Sequence, residues 1–127
     1  MPVRGIRGAT VAEADTPEAI RAASRELLLA LVDANGLAPE DVASVLFTTT
    51  PDLTAEAPAR AARELGWHDA ALMCMAEMNA AGGLARCIRV LIHWNSEKQP
   101  DQIQHVYLHA ARQLRPDRAV RSNGHTA

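Results

Sequence analysis

Of the 13 basic side chains only Lys98 is a lysine, and aromatic residues are nearly as scarce, with one Tyr, one Phe and two Trp. Few aromatic platforms and a formal net charge of −2 leave neither stacking surface nor cationic footprint for nucleic acid, so that class of partner is excluded. The two cysteines, Cys74 and Cys87, lack Cys-x-x-Cys spacing and sit in apolar company, which suits packed thiols in a reducing compartment better than a disulfide framework. No stretch approaches the roughly 18 apolar residues of a membrane span. The opening "MPVRGIRGAT" carries no apolar core of a signal peptide, so a cytoplasmic location is expected. His105 and His109 are four apart, yet no Glu follows the first and no third ligand has a recognisable spacing, so no metal is expected. The "AAGG" turn lacks the pattern of a phosphate loop, and nothing fixes Cys74 beside a histidine as a nucleophile pair.

What is present fits one globular domain. The chain has 127 residues, 48% apolar and 22% charged, enough for a single core and too short for two. "VRGIRGATV" at 3–11 is β-branched and Gly-spaced, a strand that puts Val3, Gly5, Arg7 and Ala9 on one face. Thr16 as N-cap, Pro17 at the first helical position, Glu18 in the first turn and Asn35-Gly36 at the exit predict a long helix. Its buried stripe is Ile20, Ala23, Leu27, Leu31 and Ala34. Further strands are predicted over 42–50, 70–75 and 84–95, and a short helix over 57–65 that places Arg60 and Arg63 on one face. In the long fourth strand Ile88, Val90, Ile92 and Trp94 face one way and Cys87, Arg89, Leu91 and His93 the other. Spacing alone favours a helix for "PDQIQHVYLHAARQL" at 100–114. Residues 119–127 form a polar tail expected to be mobile.

Two charges stand where apolar residues are expected: Glu77 among methionines, and Arg89 inside "CIRVL". Other arginines recur singly, at Arg7, Arg60, Arg63, Arg86 and Arg115, often beside small or apolar residues. A buried guanidinium is costly unless an anion meets it, so Arg89 requires a carboxylate in its own chain, one across an interface, or a ligand. Arginines on strands are rigid supports for bidentate contacts to carboxylates.

Five collinear blocks carry a resemblance: "RGIRGAT" at 4–10, "DTPEAI" at 15–20, "TPDLTAEAPARAARELGW" at 50–67, "CMAEMNAAGGLARCIRVL" at 74–91 and "DQIQHVYLHAARQLRPD" at 101–117. Together, over about residues 3–118, the chain resembles the trimeric α/β class of chorismate mutase, the AroH class. The resemblance implies an α+β fold over a single domain, 1–118. It is a mixed sheet with one long and one short helix per subunit, three subunits assembling as a pseudo-α/β barrel with active sites between neighbours. It also implies that the stretch around "HAARQL" is a core strand after a turn, against the spacing.

The reaction so implied is the Claisen rearrangement of chorismate to prephenate, without cofactor or metal. The resemblance assigns Arg89 to the breaking ether oxygen and Glu77 to the ring, as catalytic residues. It places Arg7, Tyr107, Arg115, Arg63 and Arg60 at the substrate carboxylates and pocket rim, with Met73, Cys74, Met75 and Ala76 along the pocket wall. Three positions depart from the family pattern: Ala57 where an aromatic occurs, Met73 where a smaller polar residue occurs, and Arg60 where lysine occurs. Two other readings use the same residues: a non-catalytic trimeric sensor of a related dicarboxylate, and a structural trimer with internal Arg-Glu pairs.

Overall fold

In a computed structural model of the chain, residues 1–78 and 83–115 are described. The expected tail, 119–127, lies outside them. Five strands form one mixed sheet: β1 (Val3–Val11), β2 (Val42–Thr49), β3 (Ala71–Ala76), β4 (Cys87–Asn95) and β5 (Val106–Tyr107), in the order β3-β2-β4-β1-β5. The central β4 runs antiparallel to both β1 and β2, while β3 and β5 add to the outer sides in parallel. The long helix α1 (Pro17–Asn35) and the short α2 (Ala59–Glu64) pack on one face of this sheet.

Helix α1 forms where its signals predict. Thr16 is extended and its hydroxyl accepts the Ala19 N–H at 3.1 Å, Pro17 occupies the first turn, and Gly36 ends the helix at φ 70°. That left-handed value favours glycine. The buried stripe is Ile20, Ala23, Leu27 and Leu31, widened by Ser24 and Leu28; Ala34 is only half-buried and Asn35 is buried in its place. Asn35 earns its burial through hydrogen bonds. Its Nδ2 donates to Leu31 O and Gln104 O, and its Oδ1 accepts from Gln104 N. It thereby ties the end of α1 to the segment leading into β5. Where α1 crosses the sheet, Gly8 makes the approach possible: a Cβ there would lie 3.0 Å from Leu31, 3.1 Å from Val90 and 3.2 Å from Leu27.

Two expectations about boundaries are corrected. The fourth strand begins at Cys87, not at residue 84, because Arg86 adopts φ 50° and cannot extend a ladder. Its N–H donates to Asp52 Oδ2 and its Nε to Ala12 O, which hold this turn. In the last segment neither a continuous helix nor a strand at "HAARQL" is found. The strand is the earlier pair Val106–Tyr107, and His109–Leu114 is a 3-10 helix entered through His109 at φ 55°. Val106 and Tyr107 point to opposite faces of the sheet, so both are buried, and in a sequence that imitates helical spacing.

Alternation along the strands divides the sheet into two unlike faces. Ile6, Val45, Phe47, Ile88, Val90 and Ile92 are buried under the helices. The opposite face carries Arg7, Leu46, Thr48, Arg89 and Leu91, all only half-buried in the single chain. Among the described residues no helix is long and apolar enough to cross a membrane.

Candidate active site

The sheet register sets out the open face as rows. Met75, Thr48, Arg89, Ala9 and Tyr107 are paired successively across all five strands, from β3 to β5. In the row beside it Met73, Leu46, Leu91 and Arg7 are paired in the same way. Paired residues share a face, so Arg7 and Arg89 stand on one side of the sheet, on adjacent strands, with apolar residues between and around them. Glu77 follows directly after β3. Its backbone N–H donates to Thr49 O at 2.8 Å, which continues the β2–β3 ladder by one residue, so alternation puts its side chain on the face of Met73 and Met75, beside Arg89.

Arg89 Nε lies 3.5 Å from Glu77 Oε1, with the two side chains 27% and 23% exposed. That distance gives attraction without a hydrogen bond, and the Nε is buried with no hydrogen-bond partner. Thr48 Oγ1 donates to the same Glu77 oxygen. A cleft of about 220 Å³ opens beside the pair, lined by Arg7, Leu46, Thr48, Met75, Glu77, Arg89, Val90 and Leu91. A second cleft of about 310 Å³, between Asp52, Met78 and Leu84, reaches the pair from its other side. The guanidinium is thus neither in bulk water nor sealed onto an acid. It faces open volume with its Nε buried and the side chain as a whole half-buried, a setting where a charge interacts more strongly than in bulk water.

Arg7 has no ion-pair partner among the described residues, and its backbone N–H donates to His105 Nδ1 at 2.9 Å. That contact leaves the His105 ring nitrogen as an acceptor and satisfies a β1 N–H beyond the reach of the two-residue β5. Arg7 and Arg115 both line a flanking cleft of about 460 Å³. Tyr107 sits in a small second core with Ala9 and Ala111, and its phenolic oxygen is buried without a hydrogen-bond partner. Cys87 shares the face of Arg89; burial pushes its thiol pKa up, against the pull of the Arg89 charge. It is a neutral packed thiol, not a nucleophile.

Other candidate residues lie elsewhere. Cys74 is exposed on the edge strand β3 and, paired with Phe47, is turned to the face opposite Met73 and Met75. Arg60 and Arg63 are exposed on α2, on the helix side of the sheet. Arg60 is engaged by Glu56 at 3.6 Å and Glu64 at 3.7 Å, as spacing along the helix allows, whereas Arg63 has no ion-pair partner among the described residues. Ala57 is exposed just before α2. Among the described residues no three His, Cys, Asp or Glu side chains converge as a metal set. His109 instead meets Glu26 at 2.9 Å, while His105 accepts the Arg7 backbone N–H.

Residues 3–118 match the family model described as chorismate mutase type I. The chain belongs to the type I chorismate mutase family. It is 52% identical to chorismate mutase AroH of Thermus thermophilus, over 91% of this chain and 95% of that one. To chorismate mutase AroH of Bacillus subtilis (strain 168) it is 46% identical, over 97% and 98%. A solved chorismate mutase structure from Clostridium thermocellum superposes with a TM-score of 0.84 at 45% identity, covering 86% of this chain and 97% of that chain. The mixed α+β fold is therefore that of a chorismate mutase.

In this chorismate mutase fold four cleft residues escaped sequence reasoning: Leu46, Leu91, Val90 and Thr48. The first three read as ordinary strand residues. Thr48, within "FTTT", reads as a β-former, and only the pairing of β3 alongside β2 gives its hydroxyl a partner in Glu77.

Proposed function

We infer that the chain is a chorismate mutase, an isomerase converting chorismate to prephenate by an intramolecular Claisen rearrangement in aromatic amino-acid biosynthesis. The observation that carries the site assignment is the half-buried Arg89 side chain, its Nε buried without a hydrogen-bond partner, opposed by Glu77 and facing a cleft. As the ether C–O bond breaks ahead of C–C formation, electron density gathers on the ether oxygen and the ring fragment becomes electron-poor. A fixed cation beside that oxygen is attracted more strongly in the transition state than in the ground state, which is what accelerates the step. Arg89 is that cation. Glu77, on the other side, favours the partial positive charge on the ring. No external nucleophile or electron carrier enters such a shift.

Chorismate is a dicarboxylate whose enolpyruvyl arm must lie over the ring. Arg7, with no acidic partner to occupy it, clamps a carboxylate and so selects the reactive conformer. The buried Tyr107 hydroxyl is a donor in search of an acceptor, and Arg115 shares the cleft on the far side of Arg7.

Three chains complete the site. In one chain Met73 is 55% exposed, Met75 41% and Val3 57%, a spread of apolar surface on the same face as Leu46 and Leu91, which a neighbour would cover. Arg7, Glu77, Arg89 and Tyr107 belong to this face, whereas Cys74, Arg60 and Arg63 face away from it. In this assignment one chain supplies the charged centre, and its neighbour supplies the edge of β3 and the arginines of α2. Two unpaired thiols suit a cytoplasmic home.

Two measurements test the reading. Purified protein is expected to consume chorismate, followed by loss of its absorbance, and to release prephenate; binding without conversion would contradict it. Sedimentation equilibrium is expected to return the mass of three chains, and a monomer that turns over normally would remove the shared site.

A further inference from the structure

We propose that Thr48 is a positioning residue for the rearrangement: its hydroxyl holds Glu77 by one oxygen, so that carboxylate and Arg89 do not close into a fork-to-fork pair. The proposal rests on the reading of Arg89 and Glu77 as the charged centre of a chorismate mutase.

An arginine and a glutamate left free in a half-buried cleft gain most by meeting through two parallel N–H···O bonds. Such a pair would spend the guanidinium's donors on the protein's own acid and leave little field for a developing oxyanion. The structure shows a different arrangement. Glu77 Oε1 accepts the Thr48 hydroxyl and at the same time lies 3.5 Å from Arg89 Nε, too far for a hydrogen bond. Thr48 is itself fixed on β2, between its two neighbours in the sheet, paired with Met75 on one side and Arg89 on the other. The Glu77 backbone is anchored to the next residue of the same strand, Thr49. Main chain and side chain of Glu77 are therefore both referred to β2, while Arg89 stands on β4. The acid is held off the base by a strand that belongs to neither.

A positioning group of this kind acts on the step itself, not on capture of substrate. In the full-length protein Thr48→Val keeps the shape and β preference of the side chain and removes the donor. It is expected to lower kcat about 10- to 100-fold, the range for a hydrogen bond to a charged group, with KM within about threefold of wild type. Thr48→Ser, which retains the hydroxyl, should recover most of the loss. Acting through Glu77, the hydroxyl should matter no longer once the acid is gone, so Thr48→Val is expected to change nothing further in a Glu77→Ala background. Thermal melting of each variant reports the fold; should Thr48→Val melt early, Thr48→Ala, which adds no bulk, carries the same comparison. Wild-type kcat in the variant without the hydroxyl, or losses that multiply fully in the double variant, would overturn the proposal. Absence of chorismate turnover in the wild-type protein would instead sink the reading on which it rests.

Discussion

The two faces of the one sheet are built from the same strands and do opposite work. Toward the helices, Ile6, Phe47, Ile88 and Val90 are buried in an apolar layer. Toward the other side the residues between them, Arg7, Thr48, Arg89 and Leu91, combine charge, hydroxyl and half-buried apolar surface. Strand β4 shows the contrast within three residues: Ile88 and Val90 pin it to the core, and Arg89 between them inherits their rigidity. A guanidinium held on both sides by packed neighbours has little freedom to relax toward water, and that is how a fold turns packing into a preorganised charge. The core face supplies stability; the open face uses it.

Substitutions on each side should separate these roles. The largest effect on stability is expected from Phe47→Ala, which empties a fully buried site and should cost about 3 to 5 kcal/mol in chemical denaturation. Should that variant retain wild-type stability, the buried layer would not be what holds the sheet. Gly8→Ala probes the contact between α1 and the sheet. Its methyl must push Leu31, Leu27 and Val90 aside, with an expected loss of about 1 to 3 kcal/mol and a lower melting temperature. An unchanged melting curve would mean that the helix can rise at no cost.

The smallest effect concerns the rim of the second cleft. Asp52 has its pKa lowered from 3.8, first by the Thr50 hydroxyl and then by the Arg86 backbone N–H and charge. A folded-state pKa below the unfolded one contributes stability that is present above the unfolded value and is lost as pH falls through the folded one. The melting temperature of Asp52→Asn should therefore lie slightly below wild type at neutral pH. The gap should close as pH drops below about 4, and a gap that widened in acid would reverse the sign of this contribution.

Much of this was legible from residues alone, and the failures have physical causes. Strand β1 and the capped helix α1 announce themselves through local signals, alternation in one and Thr16, Pro17 and Gly36 in the other. The isolated charges Glu77 and Arg89 stood out because an apolar context makes an unpaired charge expensive. What was hidden depends on long-range contacts. Strand β5 has two residues and exists because Leu108 N reaches Ala9 O and Asn35 binds Gln104, which no window of sequence contains. Arg86 delays the start of a strand-like run by adopting a left-handed backbone fixed by Asp52, 34 positions away. Thr48 matters through a partner 29 positions later. Spacing on α2 put Arg60 and Arg63 together correctly, yet could not say that they face away from the Arg89 cleft of their own chain.

The account stands most directly on the charge at position 89, and Arg89→Lys is the substitution that isolates it. Lysine keeps the positive charge and loses the planar fork, so kcat on chorismate is expected to fall by about 10² to 10³-fold while thermal melting stays close to wild type. Turnover near the wild-type rate in a well-folded Arg89→Lys protein would mean that the guanidinium is not what stabilises the breaking ether bond.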